Sequence, residues 1–199
     1  PADCGMFFTL LCMEAGAGAP LPHHQSGGAQ AFVTTATGTA DLGSWPDAAG
    51  EVGVAAGDAI CRARAAAAHL SAPESFRAWL SDSVAGVGAV DRLAYDGPWV
   101  RLDGVRVASS KTDLCDGELF APISVTEEGA YVDHFSVGAG TVQAGAASGD
   151  DCHGWTTSSV GVSGGYGTAN TVSPYWTADS AAGCEASSMH LYCLSEVAA

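Results

Sequence analysis

Seven cysteines, six histidines and twenty-two carboxylates are the residues of this chain that could do chemistry. Zinc ribbons and dithiol redox motifs need close Cys-x-x-Cys pairs, and none occurs. A cysteine nucleophile needs a lowered thiol pKa and a base within reach. The adjacent pair Cys152-His153, read as part of a strand, would point its two side chains to opposite faces. The glycine-rich segment SVGVSGGYG (159–167) lacks the strand-to-helix context of a nucleophile elbow. Calcium takes six to eight oxygens, so the loop groups Asp150-Asp151 with His153, and Asp113, Asp116 and Glu118, are its candidates. Neither has EF-hand spacing, and solvated loop carboxylates explain them as well. His23-His24 reads as a surface pair. The expectation is therefore no catalytic residue, no assigned metal ligand and no cofactor, with calcium the sole candidate ion.

Charge narrows the partners. Seven basic residues face twenty-two acidic ones in 199 residues, a formal net charge of −15. All seven lie between Arg62 and Lys111, leaving six acids before them and eleven after with no compensating base. Such a surface repels phosphate backbones and anionic lipid, which excludes nucleic acid as a partner and leaves cations, basic proteins and neutral glycans. Wide cysteine spacing in a Lys-poor chain rich in Gly, Ser and Thr fits disulfides and an oxidising compartment, hence an extracellular or outer cell-surface location. The chain opens at Pro1 without a signal peptide and reads as a mature product. The apolar run Met6–Met13 (MFFTLLCM) is far short of the roughly 20 residues of a membrane helix.

The elements that must position these groups form one domain behind an arm. Residues 1–30 read as an N-terminal arm and linker, and 31–199 as the domain. A strand is expected at Ala31–Thr35, and a helix over Val54–Leu70 with Ile60, Ala63, Ala67 and Leu70 on one face. Phe76–Leu80 alternates as a strand. Trp99–Val107 reads as a hairpin about the type I′ signal Asp103-Gly104. Thr112–Leu114 suggests one helical turn, Tyr131–Val137 a strand, Gly138–Gly183 long loops, and Met189–Leu194 a final alternating strand. This is an α+β pattern.

Several stretches in order, Ala31-Phe-Val-Thr-Thr, Gly57-Asp-Ala-Ile-Cys61, Phe76-Arg-Ala-Trp-Leu-Ser-Asp82, Asp91-Arg92, Gly97-Pro-Trp-Val-Arg-Leu-Asp-Gly104, Cys152-His-Gly-Trp-Thr156, Trp176-Thr, Cys184 and His190-Leu-Tyr-Cys193, carry a resemblance. Over about residues 30–196 the chain resembles a bacterial domain family of uncharacterised function, related to endostatin and found in surface lipoproteins and secreted proteins. The resemblance implies a C-type-lectin-like fold, with one main helix on twisted antiparallel sheets and long loops tied by disulfides. It further implies the pairs Cys61–Cys193 and Cys152–Cys184. Cys4, Cys12 and Cys115 lie outside that pattern: Cys4–Cys12 with Cys115 free is one arrangement, Cys12–Cys115 the competing one.

Members of that family on bacterial surfaces bind host matrix and complement-regulatory proteins. By analogy the expected function is non-enzymatic binding or adhesion to an extracellular protein or glycan through the loops between Gly138 and Gly183. Tyr166 and Tyr175 are the candidate ligand contacts there, because aromatics are favoured at interfaces. Trp79, Trp99, Trp155 and Trp176 are expected to pack. The alternative is a structural subunit of an extracellular fibre or layer, with the arm adding a strand to a neighbour's sheet edge.

Overall fold

The computed structural model describes residues 27–199. It is a mixed α+β fold with helices packed on one multi-stranded sheet, in strand order β4-β3-β1-β8-β5-β6-β7. The strands are β1 (Ala29–Val33), β2 (Phe76–Ala78), β3 (Trp99–Arg101), β4 (Arg106–Ala108), β5 (Ser136–Gly138), β6 (Ser163–Thr168), β7 (Ser180–Gly183) and β8 (His190–Ala198). The last strand is the organiser: β8 pairs antiparallel with β1 and β2 and parallel with β5. Its alternation reads as a half-buried strand, yet His190 through Ser195 are all buried. Leu191 and Cys193 enter one core with Phe32, Ile60 and Phe76, while Tyr192 and Leu194 enter a second with Trp79, Trp99 and Trp176. The sheet is thus covered on both faces.

Helix α1 (Gly53–Ala67) lies on the first core. It turns a different stripe inward from the expected one: Ala56, Ile60, Cys61 and Ala65 are buried, whereas Ala67 is exposed. The reason is Gly57, where an added Cβ would stand 2.7 Å from Leu80 Cδ1, so this glycine sets the close approach of α1 to β2. The helix stops at a Schellman turn. His69 takes the left-handed conformation (φ 56°), with His69 N–H donating to Ala66 O and Leu70 N–H to Ala65 O, each at 3.0 Å. Cys61 then bonds Cys193 across a sequence separation of 132. In the chain-entropy account a closed loop of that length adds about 5 kcal/mol.

The β3–β4 hairpin differs from the expected type I′ turn. Of Asp103 and Gly104 only Gly104 has a positive φ (81°), while Gly104 N–H donates to Arg101 O (2.9 Å) and Arg101 N–H to Val105 O (2.8 Å). That is a type I turn closed by a left-handed glycine, a three-residue loop. Helix α2 (Lys111–Cys115) is capped by Ser110, whose Oγ accepts Asp113 N–H. The expected strand at Tyr131–Val137 is short, and only Ser136 and Val137 of it fall in β5. The loop stretch Gly138–Gly183 is more regular than its composition suggests, since it contains β6 and β7.

Candidate binding site

The segment 139–184 builds the most elaborate surface on the molecule from small residues and hydroxyls. One turn of left-handed helix anchors it. Cys152, His153, Gly154 and Trp155 have φ of 52°, 56°, 67° and 65°, and Trp155 N–H and Thr156 N–H donate four residues back to Asp151 O (2.7 Å) and Cys152 O (3.2 Å). Left-handed helix is disfavoured by roughly 1–2 kcal/mol per non-glycine residue. Three interactions offset it. Cys152 bonds Cys184, Trp155 is fully buried with Nε1–H donating to Ser81 O (2.7 Å), and Asp151 accepts Gly154 N–H (3.0 Å) and Ser83 N–H (2.5 Å) on its two oxygens.

This arrangement answers the chemical candidates of the sequence. Cys152 and His153 stand on that turn rather than on a strand, and the Cys152 sulfur is in a disulfide. Asp151 is 1% exposed and committed to backbone N–H groups, so it does not join Asp150 and His153. Asp113 accepts Ser109 N–H (2.8 Å) and Asp116 accepts Glu118 N–H (3.0 Å), which are turn-forming bonds. Among the described residues, no three of His, Cys, Asp and Glu are grouped to hold a metal ion. The spacing Gly161-Val162-Ser163-Gly164-Gly165 has the glycines of a nucleophile elbow. However, Ser163 opens β6 with no helix after it, and its hydroxyl donates to Asp150 Oδ1 (2.8 Å).

The disulfides are Cys61–Cys193 and Cys152–Cys184, the pairing that the resemblance implies. Cys4 and Cys12, with the pairing read for them, lie outside the described residues, as does His23-His24. Cys115 is half-buried and unbonded, and burial with the nearby Asp91 and Asp116 pushes its thiol up to about 11.

The two tyrosines separate. Tyr166 sits in β6, is 2% exposed and packs its ring in the first core, its phenol pushed up by burial and by Glu185, and it also lines the cleft that runs along β6. Its strand partners put it there, because Gly164 on the same face leaves room for the Cys152–Cys184 bridge and the Tyr166 ring. Tyr175 is 58% exposed.

Along β6 lies a cleft of about 220 Å³, lined by Thr141, Ser148, Asp150, Gly165, Tyr166 and Asp179 among others. Gly165 is its floor: an added Cβ would come within 3.3–3.4 Å of Asp150 O, Gly140 Cα and Ser148 Oγ, closing the space. The walls are braced by Gly165 N–H to Asp150 O (2.7 Å) and Asp179 N–H to Tyr166 O (2.8 Å). Each carboxylate takes one hydroxyl, Ser163 on Asp150 and Thr168 on Asp179, both at 2.8 Å. Among the described residues neither has a cation within 4 Å.

Five of the seven lysines and arginines, all but Arg62 and Arg106, are engaged elsewhere. Arg64 faces Asp47 and Glu127, Arg77 and Arg92 face Asp58, and Arg101 is bidentate on Asp103. Lys111 Nζ donates to Leu93 O. Thus Asp150 and Asp179 offer incompletely satisfied acceptors in a concave wall of small groups. Such a site can take an ammonium or guanidinium group, or the hydroxyls of a polyol. Asp179 and Ser148 were not legible as site residues, because Ser, Thr and Asp in a glycine-rich stretch give the same signal as any solvated loop.

Among the described residues no helix is long and apolar enough to cross a membrane. Compared with known proteins, the chain matches no family model and no curated protein.

Proposed function

We propose that this is an extracellular or surface-displayed, non-enzymatic binding domain of the endostatin-like, C-type-lectin-like kind, whose ligand is a basic segment of an extracellular protein held in the Asp150–Asp179 cleft. The carrying observation is the cleft itself: two carboxylates without a cation, on a glycine floor, in loops tied by a disulfide and a left-handed turn. The net charge of −15 favours encounter with a basic partner. The resemblance to surface-displayed adhesion domains supports the same reading.

The test is titration of the chain with a lysine- and arginine-rich peptide by calorimetry, at low and high salt. Binding should weaken with salt, and Asp150→Asn or Asp179→Asn should each reduce affinity about tenfold or more, the range of a charged hydrogen bond. Salt-independent binding of a neutral oligosaccharide, with no peptide binding, overturns the basic ligand and retains the cleft. Loss of neither ligand in the variants overturns the cleft.

One observation favours the structural-subunit reading. Edge strand β7 presents Ser180, Ala181 and Ala182 exposed, with no charge or proline to guard the edge, and such edges accept an added strand. The strand donor in that reading, the N-terminal arm, lies outside the described residues. Light scattering of the full chain beside one starting at Gln30 decides it: large assemblies lost on truncation support a fibre or layer subunit, and two compact monomers refute it.

A further inference from the structure

We infer that the basic ligand binds as an extended strand: its backbone adds to the free edge of β7, and a Lys or Arg set opposite Ala181 lays its side chain across that residue into the Asp150–Asp179 cleft. This rests on the basic ligand proposed above and adds its conformation, its register and its side-chain pattern.

The hydrogen bonds decide which backbone groups are free. β7 ends the sheet, with Ser180, Ala181 and Ala182 exposed. Its partner β6 sets Gly165 opposite Ala181. Yet Gly165 N–H donates to Asp150 O (2.7 Å), and Gly165 O accepts Ala139 N–H (3.1 Å) and Gly140 N–H (3.0 Å). Gly165 therefore turns both groups away from β7. Pairs in an antiparallel ladder alternate between exchanging bonds and turning outward, so Ala181 points its N–H and C=O at the open edge. A strand added there makes its hydrogen bonds at Ala181.

The same register aims the side chain. Residues directly opposite one another share a face, so the ligand residue beside Ala181 stands on the face of Ala181 and Gly165, both of which line the cleft. Strands lie about 4.8 Å apart, which puts Gly165 roughly 10 Å from the added backbone. An extended Lys or Arg side chain reaches roughly 6–7 Å from its Cα, and only a methyl group and a glycine lie beneath it on the way. Gly183, two residues on, presents the same face, and the Glu185 carboxylate lies against it, within 2.5–2.7 Å of where a Cβ would stand. Among the described residues, Asp150, Asp179 and Glu185 form no ion pair. A strand with Lys or Arg at alternate positions complements this edge. A second copy of β7 brings the same carboxylates edge to edge and is disfavoured.

The test is calorimetric titration of the full chain with the peptide acetyl-Thr-Lys-Val-Lys-Val-Lys-Thr-amide and two N-methylated forms of it. Methylating the backbone N–H of every Lys removes the donors that face β7 and should weaken binding about tenfold or more. Methylating both Val, whose N–H groups face away, should change it less than about twofold. Ala181→Pro removes the outward donor at an edge position where proline is tolerated, and should weaken the unmodified peptide comparably, with a thermal melt confirming the fold. Equal loss or equal retention with the two methylated peptides, while Asp150→Asn still weakens binding, overturns strand addition and leaves the cleft reading standing. Indifference to both Asp150→Asn and Asp179→Asn overturns that reading and this inference with it.

Discussion

Asp58 holds three elements together, and its removal is the sharpest available test of how the first core is assembled. From α1 its Oδ1 accepts Ala78 N–H of β2 at 2.9 Å and Arg92 Nη2 at 2.8 Å, while Oδ2 stands 3.5 Å from Arg77 Nη1. The Asp58 and Arg92 side chains are only 13% and 11% exposed. Truncating one member of a buried pair leaves the other charge stranded, at about 3–5 kcal/mol. Arg92 also donates to Ala78 O and Leu80 O, which retain partial compensation. Asp58→Ala should therefore fall at the low end, about 3 kcal/mol. Asp58→Asn keeps an acceptor for Ala78 N–H and should lose about half of that. For a domain of this size 3 kcal/mol corresponds to a drop in Tm of roughly 6–12 °C. Urea unfolding at neutral pH, followed by tryptophan fluorescence, reads the difference; Trp79 adjoins the site in sequence. Arg92→Met should recover part of the loss in the Asp58→Ala background, because it removes the stranded charge. A change within 1 kcal/mol for Asp58→Ala, or strict additivity in the double variant, would refute the reasoning.

Three further outcomes are expected. Burial holds His190 below the usual imidazole range despite its bond to Thr34 O and the nearby Glu127, so the folded state favours the neutral ring. Its stability contribution is present above the unfolded pKa of about 6.5 and is lost as pH falls through the lower folded value. Thermal melts between pH 7.5 and 5 should show that loss, and His190→Gln should flatten it; an unchanged profile refutes the assignment. Asp103 behaves separately: burial raises its pKa, but bonds from Arg101 and Tyr131 and the Arg101 charge outweigh that, so its contribution is lost only below about pH 4. His153→Gly relieves a left-handed side chain at φ 56° and ψ 52°, for a net gain of roughly 0.5 kcal/mol after glycine's entropy. A fall in the denaturation midpoint would show instead that the imidazole makes a stabilising contact.

What could be read in advance was whatever a short window contains. β1, α1 and β2 declare themselves in their local pattern, and α2 as the helical turn expected at Thr112–Leu114. The stripe of α1 was misjudged because its inward face is set by Gly57 against Leu80, a contact between distant positions. β6 and β7 are mostly Ser, Gly and Ala, residues of poor strand propensity, and exist because β5 pairs with β6 and β6 with β7. Without those strands the burial of the Tyr166 ring could not be read. The left-handed turn at Cys152–Trp155 could not be anticipated, since three of its residues have side chains that disfavour it. The cleft depends on which loops meet, and Asp150 and Asp179 are brought to one wall by β6.

The position of β8 has a consequence for how the chain is made. Its register joins Val33 to Tyr192 and Phe32 to Cys193, so the middle of the sheet consists of contacts some 160 residues apart in sequence. Synthesis releases the N-terminal strand first, and although β3 can pair with it, no partial chain supplies β8. Until Leu194 has emerged, β1 and β2 lack the strand that joins them, and Cys61 lacks its partner Cys193. Folding is therefore expected to wait for the completed domain and to be slow, as long loop closures precede their reward. In the proposed extracellular role that delay would suit passage through a translocation channel, because a chain that does not complete its fold before its last strand is delivered arrives unfolded on the far side.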